Sequence, residues 1–214
     1  MSVRVDGRVV RLTEDDFQDL VDGPTSLPAL REALAVPGVP EALEAVRSPM
    51  AVLAVEVAGR GNVMSHHLWV TPDAVALLLQ VREAERQLMA LPPTLLASSL
   101  ARLLRLGPRA TGERAPRAVD SMLLPDLFAG TEILRRSAFD ALAADVAWNV
   151  GMSWADGDRW IGGLDGRRGL DGLGGLWLVA GNEDAPRLEP VTATDIWRRL
   201  TRFLVAVDAR PPEP

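Results

Sequence analysis

The sequence predicts an α+β protein: antiparallel sheet or sheets built from a duplicated ββββα unit with pseudo-two-fold symmetry, behind an N-terminal hairpin and helices. Three observations predict it. Runs of alternating apolar residues, bounded by Gly, Pro and Asp, read as strands. Apolar residues at helical spacing behind Thr or Pro starts read as helices. Two strand-rich stretches, residues 77–104 and 177–204, also align over 28 positions without a gap at an offset of 100.

Along the chain, Val3 and Val5 precede the turn pair Asp6-Gly7, and Val9 and Val10 follow it, which reads as a short hairpin. Thr13 with Asp16 three residues on is an N-cap with a carboxylate at N3. Phe17, Leu20 and Val21 then share a helix face until Asp22-Gly23-Pro24 stops it. Residues 30–46 read as two helical pieces split by Pro37-Gly38-Val39-Pro40, and Glu41 and Glu44 favour the second piece's positive N-terminal end. From Met50 the period becomes two, so 50–58, 63–71, 74–81 and 85–91 read as four strands. Pro92-Pro93 opens a helix carrying Leu96, Leu100, Leu103 and Leu104, and Gly107-Pro108 closes it.

Residues 110–119 are polar and lack periodicity, as a linker does, and a helical stretch spans about 125–145 with Phe128, Leu134, Phe139 and Leu142. Strands resume at 146–154 and, past the turn Ala155-Asp156-Gly157-Asp158, at 159–163. A Gly-rich loop, 162–175, leads to strands at 176–180 and 188–191. Thr192 then introduces a last helix with Ile196, Trp197, Leu200, Phe203 and Leu204. The organisation expected is a first lobe over 1–109, a linker and helical segment over 110–145, a second ββββα unit over 146–207 and a disordered tail over 208–214, the lobes forming one compact domain.

In the repeat, Leu78 meets Leu178, Leu88 meets Leu188, Leu96 meets Ile196, Leu100 meets Leu200 and Leu104 meets Leu204. Two copies are too few for a solenoid, so the pattern implies two pseudo-symmetric lobes.

Composition narrows the function classes. The chain has 214 residues with a net charge of −6, and all 23 basic residues are Arg. It lacks the basic excess of a nucleic-acid binder. With no Cys there is no disulfide framework, thiol nucleophile or thiolate metal site. The longest uncharged run, residues 87–101, has 15 residues and contains Pro92-Pro93, too short and broken for a membrane span. The start, MSVRVDGRVVRL, lacks the apolar segment of a signal peptide, so a cytoplasmic protein is expected.

No chemistry-bearing motif stands out. His66 and His67 are adjacent on a strand and point to opposite faces, so they cannot share a metal; one is expected half-buried and the other solvent-facing. Ser65, Ser98 and Ser121 lack a nucleophile elbow. The loop 162–175 has no Lys for a phosphate loop and leads into a strand rather than a helix. Asp165 and Asp171 lack calcium-loop spacing. No catalytic residue, metal or cofactor is therefore expected.

Leu164, Leu170 and Leu173 on this Gly-rich loop are instead candidates for contact with an apolar partner, with Trp154 and Trp160 flanking the neighbouring turn as anchors. Five of the six Trp fall between Trp148 and Trp197, where the competing reading is that they fill a core. Arg198, Arg199 and Arg202 read as a solvated face of the last helix.

Three stretches resemble the EspG family, cytoplasmic chaperones associated with type VII secretion in actinobacteria. VRLTEDDFQDLV (10–21) looks like the family's opening strand and helix. LLASSLARLLRLGPR (95–109) looks like its mid-chain helix and Leu-Gly-Pro-Arg turn. GLWLVAGNEDAPRLEPVTATDIWRRLTRFL (175–204) looks like its closing strand pair and helix. The duplicated architecture is similar as well. The resemblance implies a non-catalytic chaperone or adaptor that shields apolar helical tips of secreted clients, PE–PPE-like or WXG-type. This chain is shorter than typical members, with the loss falling partly in regions by which mycobacterial members grip clients, so no binding residue is carried over. Two other classes stay open: an enzyme or small-ligand protein with a pocket between the lobes, and a homodimer subunit.

Overall fold

The structure is a computed structural model, which describes residues 3–23, 28–109, 114–166, 174–182 and 185–205. It is α+β with antiparallel strands. The N-terminal hairpin pairs Arg4–Asp6 (β1) with Val9–Leu12 (β2), Asp6 opposite Val9. Its loop is Gly7-Arg8, one residue later than the Asp6-Gly7 pair expected, and Gly7 takes the left-handed conformation at φ 63°. Glu14–Asp22 (α1) starts in the anticipated cap: the Asp16 N–H donates to Thr13 Oγ1 at 3.2 Å, and the Thr13 N–H donates back to Asp16 Oδ2 at 3.4 Å. Two orphan helix donors are thereby satisfied. Pro28–Leu34 (α2) and Val39–Arg47 (α3) follow. Next come Ala51–Ala58 (β3), Val63–Val70 (β4), Val75–Arg82 (β5) and Glu85–Leu91 (β6), and a 3₁₀ turn at Pro93–Leu95 leads into Leu96–Leu103 (α4).

The remaining elements correct three expected boundaries. The stretch read as a linker carries an edge strand, Arg117–Ala118 (β7), paired with a later strand through Leu188 and Arg187. The helical stretch is two helices, Leu123–Asp126 (α5) and Glu132–Ala141 (α6), and Ala144–Trp154 (β8) begins inside its expected C-terminal end. Gly157–Gly166 (β9) runs three residues past its expected end at Gly163, into the segment expected to be loop. Gly175–Ala180 (β10), Arg187–Val191 (β11) and Ala193–Val205 (α7) complete the chain. The capping pattern recurs at α7, where the Asp195 N–H donates to Thr192 Oγ1 and the Thr192 N–H to Asp195 Oδ2. The Thr192 hydroxyl, donating to Asp195 Oδ2 at 2.6 Å, and then the Thr192 N–H hold the Asp195 carboxyl below its ordinary pKa.

The chain forms two compact units that interleave in sequence. The first comprises Met1–Val55, Met64–Leu96 and Met152–Arg159; the second comprises Glu56–Val63, Ala97–Gly151 and Trp160–Pro214. These boundaries differ from a linear division into lobes.

In the first unit the hydrogen-bonded strand order is β1-β2-β6-β5-β4-β3. The three N-terminal helices bury Phe17, Leu20, Leu30, Ala33, Val39 and Leu43 against Val10, Leu12, Ala76, Leu78 and Leu88. Each fully buried Leu or Phe contributes roughly 1.5–3 kcal/mol, so this cluster is a major source of the unit's stability. Arg47 closes α1 by donating to the Leu20 and Val21 carbonyls at 3.3 and 3.0 Å. Trp69 packs against the cluster, 5.7 Å from Phe17 between ring centroids.

His66, on β4, is the buried member of the His pair, and His67 faces solvent. The β4–β5 ladder gives way there to side chains: Ser65 N–H donates to Gln80 Oε1 at 2.8 Å, and Gln80 N–H donates to His66 Nδ1 at 3.1 Å. Burial, with His67 and Arg86 nearby, lowers the His66 pKa from 6.5 to about 4, so the imidazole is neutral and free to accept.

The second unit orders its strands β8-β9-β10-β11-β7. One face of these strands carries Ala147, Leu164, Trp177 and Leu188, covered by Leu127, Ala138, Phe139 and Leu142 from α5, α6 and the adjoining loops.

The positions related by the 100-residue offset fall in corresponding elements. Leu88 and Leu188 are both buried on β6 and β11, and Leu100 and Leu200 are both buried on α4 and α7. Their pairing differs by one residue: Leu88 faces Leu78, whereas Leu188 faces Val179. The β5–β6 register shifts by one between Gln80 and Arg82, so that Arg82 faces Glu85.

Candidate functional site

The second unit contains an open cleft of about 750 Å³. Strand alternation explains its floor. On β9, Trp160, Gly162 and Leu164 share a face; on β10, Trp177, which pairs with Leu164, shares its face with Val179. At Leu164, Trp177 and Leu188 this face is filled by the α5–α6 layer. Gly151 of β8, Gly162 and Gly163 of β9 and Gly181 after β10 also line the cleft, although a Cβ at Gly162, Gly163 or Gly181 would meet Trp160, Trp177 and Trp148, or Ala185 rather than open space.

The opposite wall comes from α5 and its surroundings: Ser121, Met122, Leu124, Pro125, Leu127 and Phe128. An arginine holds this layer in place. Arg135, on α6 and buried, donates to the carbonyls of Ala129 and Gly130 in the α5–α6 turn and of Gly59 and Gly61 in the β3–β4 turn, at 2.5, 3.4, 3.1 and 3.0 Å. Its planar fork of donors suits a cage of carbonyls in a way a lysine does not.

Two amides face the cleft, each half-committed. The Asn149 Nδ2 donates to Glu56 Oε2 at 2.8 Å, which turns its Oδ1 into the remaining acceptor. The Asn182 Oδ1 accepts from the Ala185 N–H at 2.8 Å, which leaves its Nδ2 as a donor. Among the described residues, no Asp, Glu, His or Arg lines the cleft. The described residues also hold no group of three or more His, Asp or Glu able to bind a metal. The described lining offers apolar contact and the hydrogen-bonding side chains of Ser121, Asn149 and Asn182, with no acid or base among those residues to pair with the Ser121 hydroxyl.

The residues singled out in the sequence part company here. Trp160 lies on the cleft, 57 % exposed, its ring laid over Gly162. Leu164 also lines it, but on a strand rather than a loop, and at 1 % exposure it belongs to the core cluster. The expectation of Leu164 on an apolar loop tip is corrected accordingly: β9 continues to Gly166 because its ladder with β10 reaches Gly175. Leu170 and Leu173 lie outside the described residues. Trp154 is not among the residues lining the cleft; its ring sits against Gly157 with the Arg159 guanidinium 4.8 Å from its centroid. Trp148 and Trp177 are buried, as the core reading of the Trp cluster anticipated. Asp165 is paired with Arg109 at 2.7 Å, so the Leu-Gly-Pro-Arg turn is tied to β9. Sequence reasoning missed Met122, Phe128, Asn149, Val179 and Asn182; the glycines at 151, 162 and 163 inside strands and at 181 just past one were the available signal.

No family model and no curated protein matches the sequence. Among solved structures, the fold is similar to that of the type VII secretion system chaperone EspG5 of Mycobacterium tuberculosis, determined in complex with the PE25–PPE41 dimer. The TM-score is 0.58 and the identity 13%, over 96% of this chain and 98% of that chain. The fold is therefore EspG-like. Among the described residues no helix is long and apolar enough to cross a membrane.

Proposed function

We propose that this protein is a cytoplasmic, non-catalytic chaperone or adaptor of type VII secretion that binds a helical client, PE–PPE-like or WXG-type, and covers its apolar tips before export. The observation that carries this reading is the likeness in fold, over nearly the full length of both chains, to a chaperone solved with a PE–PPE dimer. The cleft supports it from the side of chemistry. Its lining is mostly apolar and, among the described residues, carries no Asp, Glu, His or Arg, which suits holding a partner rather than turning over a substrate.

Binding in this scheme is driven by burial. Trp160 supplies a large apolar surface with few rotors to freeze. Met122, 70 % exposed, supplies an adaptable one. A client whose apolar ends are covered in this way is kept from self-association, and release needs no chemical step.

The test is co-expression of the chain with PE–PPE-like pairs and with WXG-type pairs, followed by size-exclusion chromatography. The expected result is that one client class becomes soluble and co-elutes with the chain. Clients that remain equally soluble alone and never co-elute would overturn the proposal.

A further inference from the structure

We infer that the cleft of the second unit is a peptide-docking site for an uncharged, apolar segment of a partner protein, recognised through its side chains and through one main-chain amide. The inference rests on the chaperone reading and names the surface by which the client would be held.

Charge gives the first reason. Asp, Glu and Arg make up 24% of the chain, yet none lines the cleft among the described residues. A charged segment entering it would lose hydration without a counter-ion among the described lining residues, whereas an apolar one has no charge to desolvate.

The second reason is the pair of asparagines. Each spends one half of its amide inside the fold, on Glu56 and on the Ala185 N–H, so orientation is fixed before any ligand arrives. Among the groups that remain are an acceptor, Asn149 Oδ1, and a donor, Asn182 Nδ2. An N–H and a C=O are the complement of that pair, and every peptide unit carries both.

Size and shape give the third. About 750 Å³ lies within the 300–1,000 Å³ range of ligand pockets and accommodates several side chains. Trp160 and Met122 line the cleft yet remain 57 % and 70 % exposed, apolar surface that a protein segment seated there would cover.

The experiment uses the full chain and the client that co-elutes with it. Affinities are measured for the wild type, Trp160→Ser, Asn182→Asp and the control Val81→Ser, a substitution of an exposed residue in the first unit. Asn182→Asp keeps the acceptor for the Ala185 N–H while replacing the donor by a negative charge, so thermal stability should stay at the wild-type level. Both cleft variants should weaken client binding at least tenfold, and Val81→Ser should leave it unchanged. An array of overlapping client peptides should bind the wild type through segments uncharged at their centre.

A client that binds the two cleft variants as tightly as the wild type would overturn the site while leaving the chaperone reading intact. Array binding centred on charged segments would do the same. A wild type that holds no client at all removes both proposals together.

Discussion

Two adjacent glycines offer a sharp test of how β9 is packed. A methyl group added at Gly163 would fall 2.5 Å from the Trp177 carbonyl oxygen and 2.6 Å from Cζ2 of Trp148, whose side chain is 1 % exposed. Neither obstacle can give: one is backbone in the paired strand, and the other is an indole enclosed by the core. A methyl group at Gly162 would fall 2.8 Å from Cζ3 of Trp160, an exposed ring with solvent to move into.

Overpacking a filled site costs about 1–3 kcal/mol. Replacing glycine by alanine returns about 0.4–1 kcal/mol where the backbone accepts it, by restricting the unfolded chain. Gly163→Ala should therefore be destabilised by about 1–2 kcal/mol net, and Gly162→Ala should be neutral or slightly stabilised. For a chain of this size that is a Tm lower by about 2–8 °C for Gly163→Ala and unchanged within about 2 °C for Gly162→Ala. Thermal unfolding followed by far-ultraviolet circular dichroism measures both. A Gly163→Ala protein as stable as the wild type, or a Gly162→Ala protein as damaged as Gly163→Ala, would refute the packing described for this strand.

Two further outcomes follow from buried polar groups. Replacing Arg135 by Ala strands four carbonyls and should cost about 3 kcal/mol or more in urea unfolding, and Arg135→Lys should recover only a part because an ammonium cannot span both turns; full stability in the Lys variant would contradict the cage. His66 has a folded pKa of about 4 against 6.5 unfolded, so between these values the unfolded state binds more protons and stability rises with pH. Its contribution, up to about 3 kcal/mol, is complete above pH 6.5 and lost as pH falls towards 4. His66→Gln should flatten that part of the stability profile, and an unaltered slope would show that the buried imidazole is not responsible.

The sequence by itself determined the fold class and most of its elements. Short apolar runs bounded by turn residues marked β3 to β6; β3 alternates largely as a half-buried strand does, whereas β5 opens with four buried residues in a row. Thr13 with Asp16 marked the start of α1, because a helix start has orphan donors that a local side chain can satisfy. The 100-residue offset led to corresponding buried positions in β6 and β11 and in α4 and α7. These signals are local, and local sequence carries them whole.

What the tertiary structure decided was everything that depends on which strands become neighbours. β7 has two residues, too few for a period, and exists through its ladder with β11. β9 outran its expected end because β10 offers Gly175 a partner in Gly166, although the composition there reads as loop. Leu164 looked like an exposed loop leucine and is core, because Trp177 pairs with it across the ladder. Arg135, one Arg among 23, is distinguished only by the two turns that converge on it. The cleft belongs to this second group: its lining comes from β8, β9, the end of β10 and the α5 layer, stretches far apart in sequence that become one surface only when the fold brings them together.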